Sequence, residues 1–557
     1  MTPMSEPAHV RSALTRAGHD QLVYDLTGIE GQYHALLDEL PDVSVRFAVK
    51  ACPHPPVLAC LARVGAGFDA ASPGEIELTL RNGALPADVH YGNTVKSDAD
   101  IAAAHSLGIT TFATDCVEDV RAIARHAPGA HVFCRVATTG AGALWALTDK
   151  CGSDDAVGVL TEARRLGLVP AGLSIHVGSQ QMTASAWRQA LDSLVVLVTS
   201  LASRGIHLGH VNLGGGLPAH GYFGRTGAPL VPPTGEIFAA IREGMGRLRE
   251  AGGRLRFVVE PGRHLVADHG TIRAHVARLT SREQRWLYLS CGKFNGLYET
   301  DQLRYRLTFP DRAGGAVVPA VIAGPTCDSD DRFGGSPVVV PADLVSGDPV
   351  WIHSAGAYAI GYTTVGFNGF GPLPVVAVRA EKIRPIDAGD WSTIAELEAA
   401  EYAPRGLSES RAALESRWAK ETSFVLDGGE RLGGYVLALP YPPNRFPDPG
   451  RPETTAYHSA NLHLHDIVVS AELRGRGWGT RLLRHLTDAA RSFRYERISL
   501  IAVDGAAGFW STRGFRAHPE VTLPAGYGPG AVYMSRPITG EGEARDPAPR
   551  NEQRSFR

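Results

Sequence analysis

The chain has 557 residues, 44% of them hydrophobic and 20% charged, with 55 Lys plus Arg against 58 Asp plus Glu. That length suggests three domains at roughly 100–200 residues each, and the formal net charge of −3 offers no bulk attraction to nucleic acid or an anionic membrane. No apolar run reaches the ~18–20 residues of a bilayer span, and the opening residues lack an apolar signal core, so the expected setting is the cytoplasm, with neither nucleic acid nor membrane as partner.

Seven cysteines without a CxxC pair read as reduced thiols, so no metal site is expected. From about residue 25 to 265, short apolar runs (Val43–Val49, His131–Arg135, Gly172–His176, His210–Leu213, Leu255–Glu260) alternate with amphipathic stretches such as Thr183–Ser203 and Gly235–Ala251. This rhythm predicts a parallel sheet of βα units. Each run ends in a polar or glycine-rich signal, as strands do at the C-terminal rim of a (β/α)₈ barrel. From about 266 to 380 the runs are short, β-branched and punctuated by Gly, Pro and Asp, which predicts an all-β domain. From about 381 a helix over Trp391 to Tyr402, a Pro-rich loop, a strand over Leu462–Val469 and a helix over Arg481–Ser492 follow. Residues 539–557 are charged with few apolar anchors and are expected to be disordered.

Two groups of residues carry chemistry. Lys50 ends the first apolar run. Gly214-Gly215-Gly216 offers closely spaced N–H groups for a phosphate, and Glu260-Pro261-Gly262-Arg263 supplies one group for a protonated pyridine nitrogen and one for phosphate oxygens. His176 can lie against an aromatic ring, with the Ser179 hydroxyl free for the phosphate. Together they describe a lysine-linked pyridoxal 5'-phosphate. These motifs, with Gly67-Phe68-Asp69-Ala70-Ala71-Ser72, Gly324-Pro325-Thr326-Cys327-Asp328, Gly356-Ala357-Tyr358 and Phe367-Asn368-Gly369-Phe370, resemble the alanine-racemase-fold, group III decarboxylases in order and spacing.

The resemblance implies a (β/α)₈ barrel over 28–265, a β-domain over 266–380, and a segment 1–27 joining that β-domain. It implies that Lys50 forms the Schiff base, Glu260 pairs with the pyridine nitrogen, Gly216, Ser179, Arg263 and Tyr358 hold the phosphate, and Asp69, Arg135 and His176 surround the lysine and ring, with Gly215 and Gly262 in the same cradle. Cys327 resembles the thiol that returns a proton to Cα from the partner subunit, which implies a homodimer with shared sites. Asp328 after Cys327, with Asp331 in the same loop and Glu299 upstream, makes an acidic pocket suited to an ammonium. A basic amino acid is therefore expected as substrate, ornithine ahead of lysine. One methylene is worth only ~1–3 kcal/mol, too little to separate the two by sequence.

The second group is Leu473-Arg474-Gly475-Arg476-Gly477-Trp478-Gly479-Thr480, between the strand and the helix, where backbone N–H groups can hold a pyrophosphate. With Phe509…Gly514-Phe515 it resembles the GNAT N-acetyltransferases over about 381–538. The resemblance implies acetyl-CoA along Ile467, Val468 and Val469 and across Arg474–Thr480. Trp510 stands where many members have a tyrosine acid, so the acid is Ser511, Tyr533, water or nothing, and the base falls to His463, His465 or Asp466. The expected whole is a fusion that decarboxylates a basic amino acid and acetylates the resulting diamine. A degenerate GNAT domain, or one acting on a separate amine, are the alternatives.

Overall fold

The structure, a computed structural model, describes residues 6–538 apart from 313, 429 and 430. The expected tail, 539–557, lies outside the described residues. The chain divides into two compact units, Met1–Arg379 and Ala380–Arg557. Among the described residues no helix is long and apolar enough to cross a membrane.

The first unit begins with β1 (Gln21–Asp25) and then builds the barrel strands β2 (Val43–Ala48), β3 (Gly67–Ala70), β4 (Val89–Tyr91), β5 (Thr111–Thr114) and β6 (His131–Arg135). A small ribbon, β7 (Ala143–Trp145) with β9 (Ser179–Gln181), flanks β8 (Val169–Ser174), and β10 (His210–Asn212) and β11 (Arg256–Val259) complete the set. The barrel closes in the order β10-β11-β2-β3-β4-β5-β6-β8, with every neighbouring pair parallel. β3, β4 and β5 are only three or four residues long, too short for their apolar pattern to stand out in sequence.

An eight-stranded sheet follows: β12 (Gly270–Ser281), β13 (Arg285–Leu289), β14 (Leu307–Thr308), β15 (Val317–Ala323), β16 (Val338–Pro341), β17 (Pro349–Ile352) and β18 (Val375–Val378), with β1 antiparallel to β12 and parallel to β18. Three domains were expected, yet this sheet and the barrel share one buried core that runs from Leu22 through Phe257 and Leu265 to Ile272 and Ile352. The core is shared because the chain contributes β1 to the sheet before it builds the barrel, and a short helix, Arg263–Val266, leads from β11 into β12.

The second unit is a seven-stranded sheet, β19 (Lys382–Pro385), β20 (Phe424–Asp427), β21 (Leu432–Pro440), β22 (Asn461–Val469), β23 (Arg497–Ala502), then β25 (Val532–Pro537) and β24 (Arg516–Ala517) in spatial order. Its two faces bury separate apolar clusters, one around Leu482, Leu486 and Leu500, the other around Trp391, Ile394 and Tyr435. β22 pairs with β23 only from Asn461 to Leu464, while its continuation to Val469 remains paired with β21. The sheet therefore splays open beside Asp466–Val469. The helix after the splay begins at Trp478, not Arg481, so Trp478, Gly479 and Thr480 form its first turn rather than the loop before it.

Candidate active sites

At the C-terminal rim of the barrel, one cavity is lined by Lys50, Asp69, His176, Ser179, Gly215, Gly216, Glu260, Gly262, Arg263 and Tyr358, with Ala48 and Leu217. Each polar group comes from a strand end or the turn after it, which the closed barrel turns toward a common mouth. Lys50 opens to solvent through that mouth. Burial among protein charges disfavours its ammonium, but Tyr358, Asp69 and Glu260 outweigh this and hold it above the ordinary lysine value.

The carboxylates facing the lysine are both pushed up. Burial and the nearby Glu260 raise Asp69 well above the carboxylate range, Lys50 notwithstanding, and its Oδ1 is buried with no hydrogen-bond partner. Burial also raises Glu260, whose Oε1 accepts a hydrogen bond from Asn212 Nδ2. His176 is driven down to about 3 by burial and then by Lys50 and Arg135, so its ring is neutral. Gly178 N–H donates to His176 Nδ1 at 3.1 Å, which leaves the proton on Nε2. Arg135 ends β6 and acts on this cavity by charge, without lining it.

Gly216 has φ +109°, and a Cβ there would meet Gly178 O at 2.6 Å; only glycine permits this close chain crossing. The adjoining backbone is thereby left open as a cradle. Tyr358 holds a left-handed φ of 63°, fixed by its N–H on Ala51 O at 2.7 Å. Arg263 Nε and Nη2 reach Ser179 Oγ at 3.4 and 3.3 Å. The guanidinium lies over the Trp145, Tyr358 and Tyr222 rings, at 4.6, 4.9 and 5.7 Å. A reactive amine, an orphaned carboxylate oxygen, a second carboxylate and a backbone cradle suit pyridoxal phosphate, whose aldehyde, ring nitrogen and phosphate need those partners.

The three carboxylates expected at the substrate separate here. Glu299 is buried and forks onto Arg263 at 2.5 and 2.6 Å, because a carboxylate at that depth requires a cation. Asp331 is also buried and accepts from the N–H groups of Lys293 (2.7 Å) and Thr326 (3.0 Å) and from the Thr326 hydroxyl (2.7 Å). It closes the loop instead of facing a ligand. Asp301 is taken by Lys293 at 2.6 Å. Asp328 is exposed and has no cationic partner among the described residues. Cys327 is exposed too, with its N–H and Sγ on Asn368 Oδ1 at 3.3 and 3.4 Å, and it does not line this chain's cavity.

In the second unit, a groove of about 610 Å³ follows the splay and the loop after it. Ile467, Val468, Val469, Arg474, Gly475, Gly477, Trp478, Gly479, Thr480 and Trp510 all line it. Arg476, expected in the same set, does not line the groove, and Arg474 is already paired with Glu401 and donates to Val469 O. Gly475 and Gly477 take φ of +74° and +78°, which turns the backbone amides toward the groove at the helix start.

Asp466 ends the groove, accepting from the hydroxyls of Tyr402 (2.7 Å) and Tyr435. Burial raises it to about 6 against those two hydrogen bonds. His463 and His465 are buried and neutral; burial, then Arg417, takes His463 down to about 3. Ser511 donates its hydroxyl to Ala507 O and the buried Tyr533 hydroxyl accepts from Asn444 N–H; neither candidate acid lines the groove.

Residues 26–267 match the pyridoxal binding domain of pyridoxal-dependent decarboxylases, and residues 391–515 match the acetyltransferase (GNAT) family. A diaminopimelate decarboxylase from Pseudomonas aeruginosa is 31% identical over 410 residues, 69% of this chain and 93% of that protein. This chain belongs to the pyridoxal-dependent decarboxylase family. It carries a GNAT domain at its C-terminal side. A lysine/ornithine decarboxylase from Selenomonas ruminantium is 29% identical over 361 residues, 64% of this chain and 88% of that protein. The crystal structure of a lysine/ornithine decarboxylase from Vibrio vulnificus complexed with putrescine superposes with a TM-score of 0.59 at 28% identity, over 66% of this chain and 97% of that one.

Asn212, which donates to Glu260, and Trp145 and Tyr222, which pack on the Arg263 guanidinium, support residues that line the cavity and escaped the sequence reading. Asn212 sits only two residues before the glycine run, a signal that position alone could have raised. Trp145 ends the three-residue strand β7 and Tyr222 lies in a loop, both too short of pattern to be read.

Proposed function

We propose that the protein decarboxylates a basic amino acid, ornithine before lysine, and acetylates the diamine product with acetyl-CoA. The observation that carries the first half is the cavity joining Lys50, Asp69, Glu260, His176 and the Gly216 cradle. Lys50 Nζ would hold the cofactor's aldehyde carbon, Glu260 would keep a proton at the ring nitrogen, neutral His176 would flank the ring, and Ser179, Gly216, Arg263 and Tyr358, with Gly215 and Gly262 in the same cradle, would hold the phosphate. When bound, pyridoxal phosphate supplies the electron sink for cleavage of the carboxylate bond. Cys327 Sγ of a partner subunit returns the proton to Cα, so the working unit is a homodimer. Asp328, the carboxylate left without a cation, meets the distal ammonium.

The second half rests on the groove along β22 and on its extension past Asp466, where the carboxylates of Glu398 and Glu409 join the lining. Such a lining suits a cationic amine. Ile467–Val469 hold the acyl arm through their unpaired edge, the Gly475–Thr480 turn holds the pyrophosphate, and Asp466 takes the amine proton. Trp510, which cannot supply a hydroxyl proton, favours the second reading, in which the GNAT domain no longer transfers acetyl groups.

Mass-spectrometric product analysis on ornithine, lysine, arginine and diaminopimelate, with and without acetyl-CoA, tests the reading. N-acetylputrescine from ornithine is the expected product. Free putrescine alone, with acetyl-CoA saturating, would support the degenerate domain, and turnover of diaminopimelate only would overturn the substrate assignment.

A further inference from the structure

The barrel has a second cavity at its opposite, N-terminal end, about 340 Å³ in volume, within the ~300–1,000 Å³ range of small-molecule sites. Arg46 from β2, His90 from β4 and His210 from β10 line it and, with Phe133 from β6 packed against the two histidine rings, form a layer of side chains from alternate strands. The rings lie 5.3 to 5.8 Å apart. Such layers in barrels are usually packed with branched apolar residues. Here three of the four positions are basic. His131, His207 and Arg256 stand around the outer part of the same cavity.

His90 and His210 are 5% and 6% exposed, and His90 Nδ1, His210 Nε2 and Arg46 Nε are all buried without a hydrogen-bond partner. A buried polar atom left unpaired costs about 1–3 kcal/mol, and three on one wall call for a common partner. No carboxylate pairs with Arg46, Arg256, His131 or His207 among the described residues. The Asp88 backbone carbonyl accepts from Arg46 Nη1, and Asp88, Glu260 and Asp69 act on Arg46 only at longer range. The histidines do not form a metal-holding group among the described residues.

We infer that this cavity is a binding site for a small oxyanion, a free phosphate or the phosphate of a small ester, held by Arg46 and Arg256 and by His90 and His210 in their protonated form. Burial, followed by Arg46 for His90 and by Arg256 for His210, keeps both histidines below their ordinary value when the cavity is empty of charge. His131 adds to this on His210, while the carbonyl of Ala171 opposes it. An anion reverses the balance, so binding takes up protons and tightens as pH falls.

Calorimetric titration of the pyridoxal-phosphate-loaded full chain with inorganic phosphate, in excess CoA to fill other phosphate cradles, tests the site. Binding should weaken at least tenfold from pH 6 to pH 8, with proton uptake read from buffers of different ionisation heat. Arg256→Gln, at the open rim, should cost about tenfold in affinity at pH 6 and leave decarboxylation unchanged. His90→Gln with His210→Gln should abolish the proton uptake. No binding at pH 6, or binding unaffected by these changes, would overturn the inference; a phosphate ester that binds while free phosphate does not would assign the site to the ester.

Discussion

Both outer nitrogens of the Arg263 guanidinium reach the Glu299 carboxylate, at 2.5 and 2.6 Å, in a pair whose side chains are 3% and 6% exposed. The same guanidinium reaches Ser179 Oγ, so Glu299 fixes the arm of Arg263 that lines the barrel-mouth cavity. Removing one partner of a buried pair strands the other charge, at a cost of about 3–5 kcal/mol. Glu299→Ala is therefore expected to lower the urea midpoint of the first unit and to weaken pyridoxal phosphate binding in a cofactor titration. Asp301→Ala breaks the Lys293 pair, whose carboxylate is 56% exposed, and should cost under about 1 kcal/mol.

Among the described residues, Lys50 is the only amine lining the barrel-mouth cavity. Lys50→Ala should abolish the visible absorbance of lysine-linked cofactor and nearly all decarboxylation, while CoA binding to the second unit is unchanged. An active, yellow variant would remove the cofactor assignment.

Cys327 does not line the cavity of its own chain, and its thiol is exposed beside Asn368. If the thiol serves a partner's site, Lys50→Ala and Cys327→Ala chains complement each other. Random pairing makes half the dimers mixed, each with one intact site, so activity should recover to about a quarter of the unmodified level. No recovery after confirmed subunit exchange would place both residues in one chain.

The barrel was legible because βα alternation and strand-end polar residues follow from its geometry. Lys50, His176, Gly216 and Glu260 all sit where a strand stops, so their convergence could be anticipated from spacing. The fate of the carboxylates could not. Glu299 and Asp331 look as available as Asp328 in sequence, and only the folded loops show that one meets Arg263 and the other caps backbone amides. The shared core was hidden for a similar reason: β1 joins its sheet through partners about 250 and 350 residues away.

Gly477 has φ +78° and precedes the helix whose first turn lines the groove beside β22. A β-branched side chain there costs about 1–2 kcal/mol in the left-handed region and displaces the amides. Gly477→Val should raise the KM for acetyl-CoA sharply, or stop acetylation, without changing decarboxylation. Equal loss of both activities would show that the substitution unfolds more than the loop.

Asp466 links the chemistry of the second unit to its stability. Burial holds its carboxyl at about 6, above the ordinary 3.8. An amine with a solution pKa near ~10 must lose a proton before attack, and Asp466 can take it only when ionised. Acetylation should therefore fall about tenfold per pH unit below pH 6 and be level above it. The stability effect has the opposite sign. The folded state binds this proton more tightly than the unfolded one, so the stabilisation is complete below about pH 4 and lost as pH rises through 6, a difference of about 3 kcal/mol by pH 7. Asp466→Asn cannot ionise and still accepts from a tyrosine hydroxyl. It should abolish the pH-dependent step in acetylation along with most of the rate, raise the urea midpoint of the second unit at pH 7, and leave it unchanged at pH 4. Full acetylation by Asp466→Asn, with the stability gain intact, would move the base to His463, His465 or water.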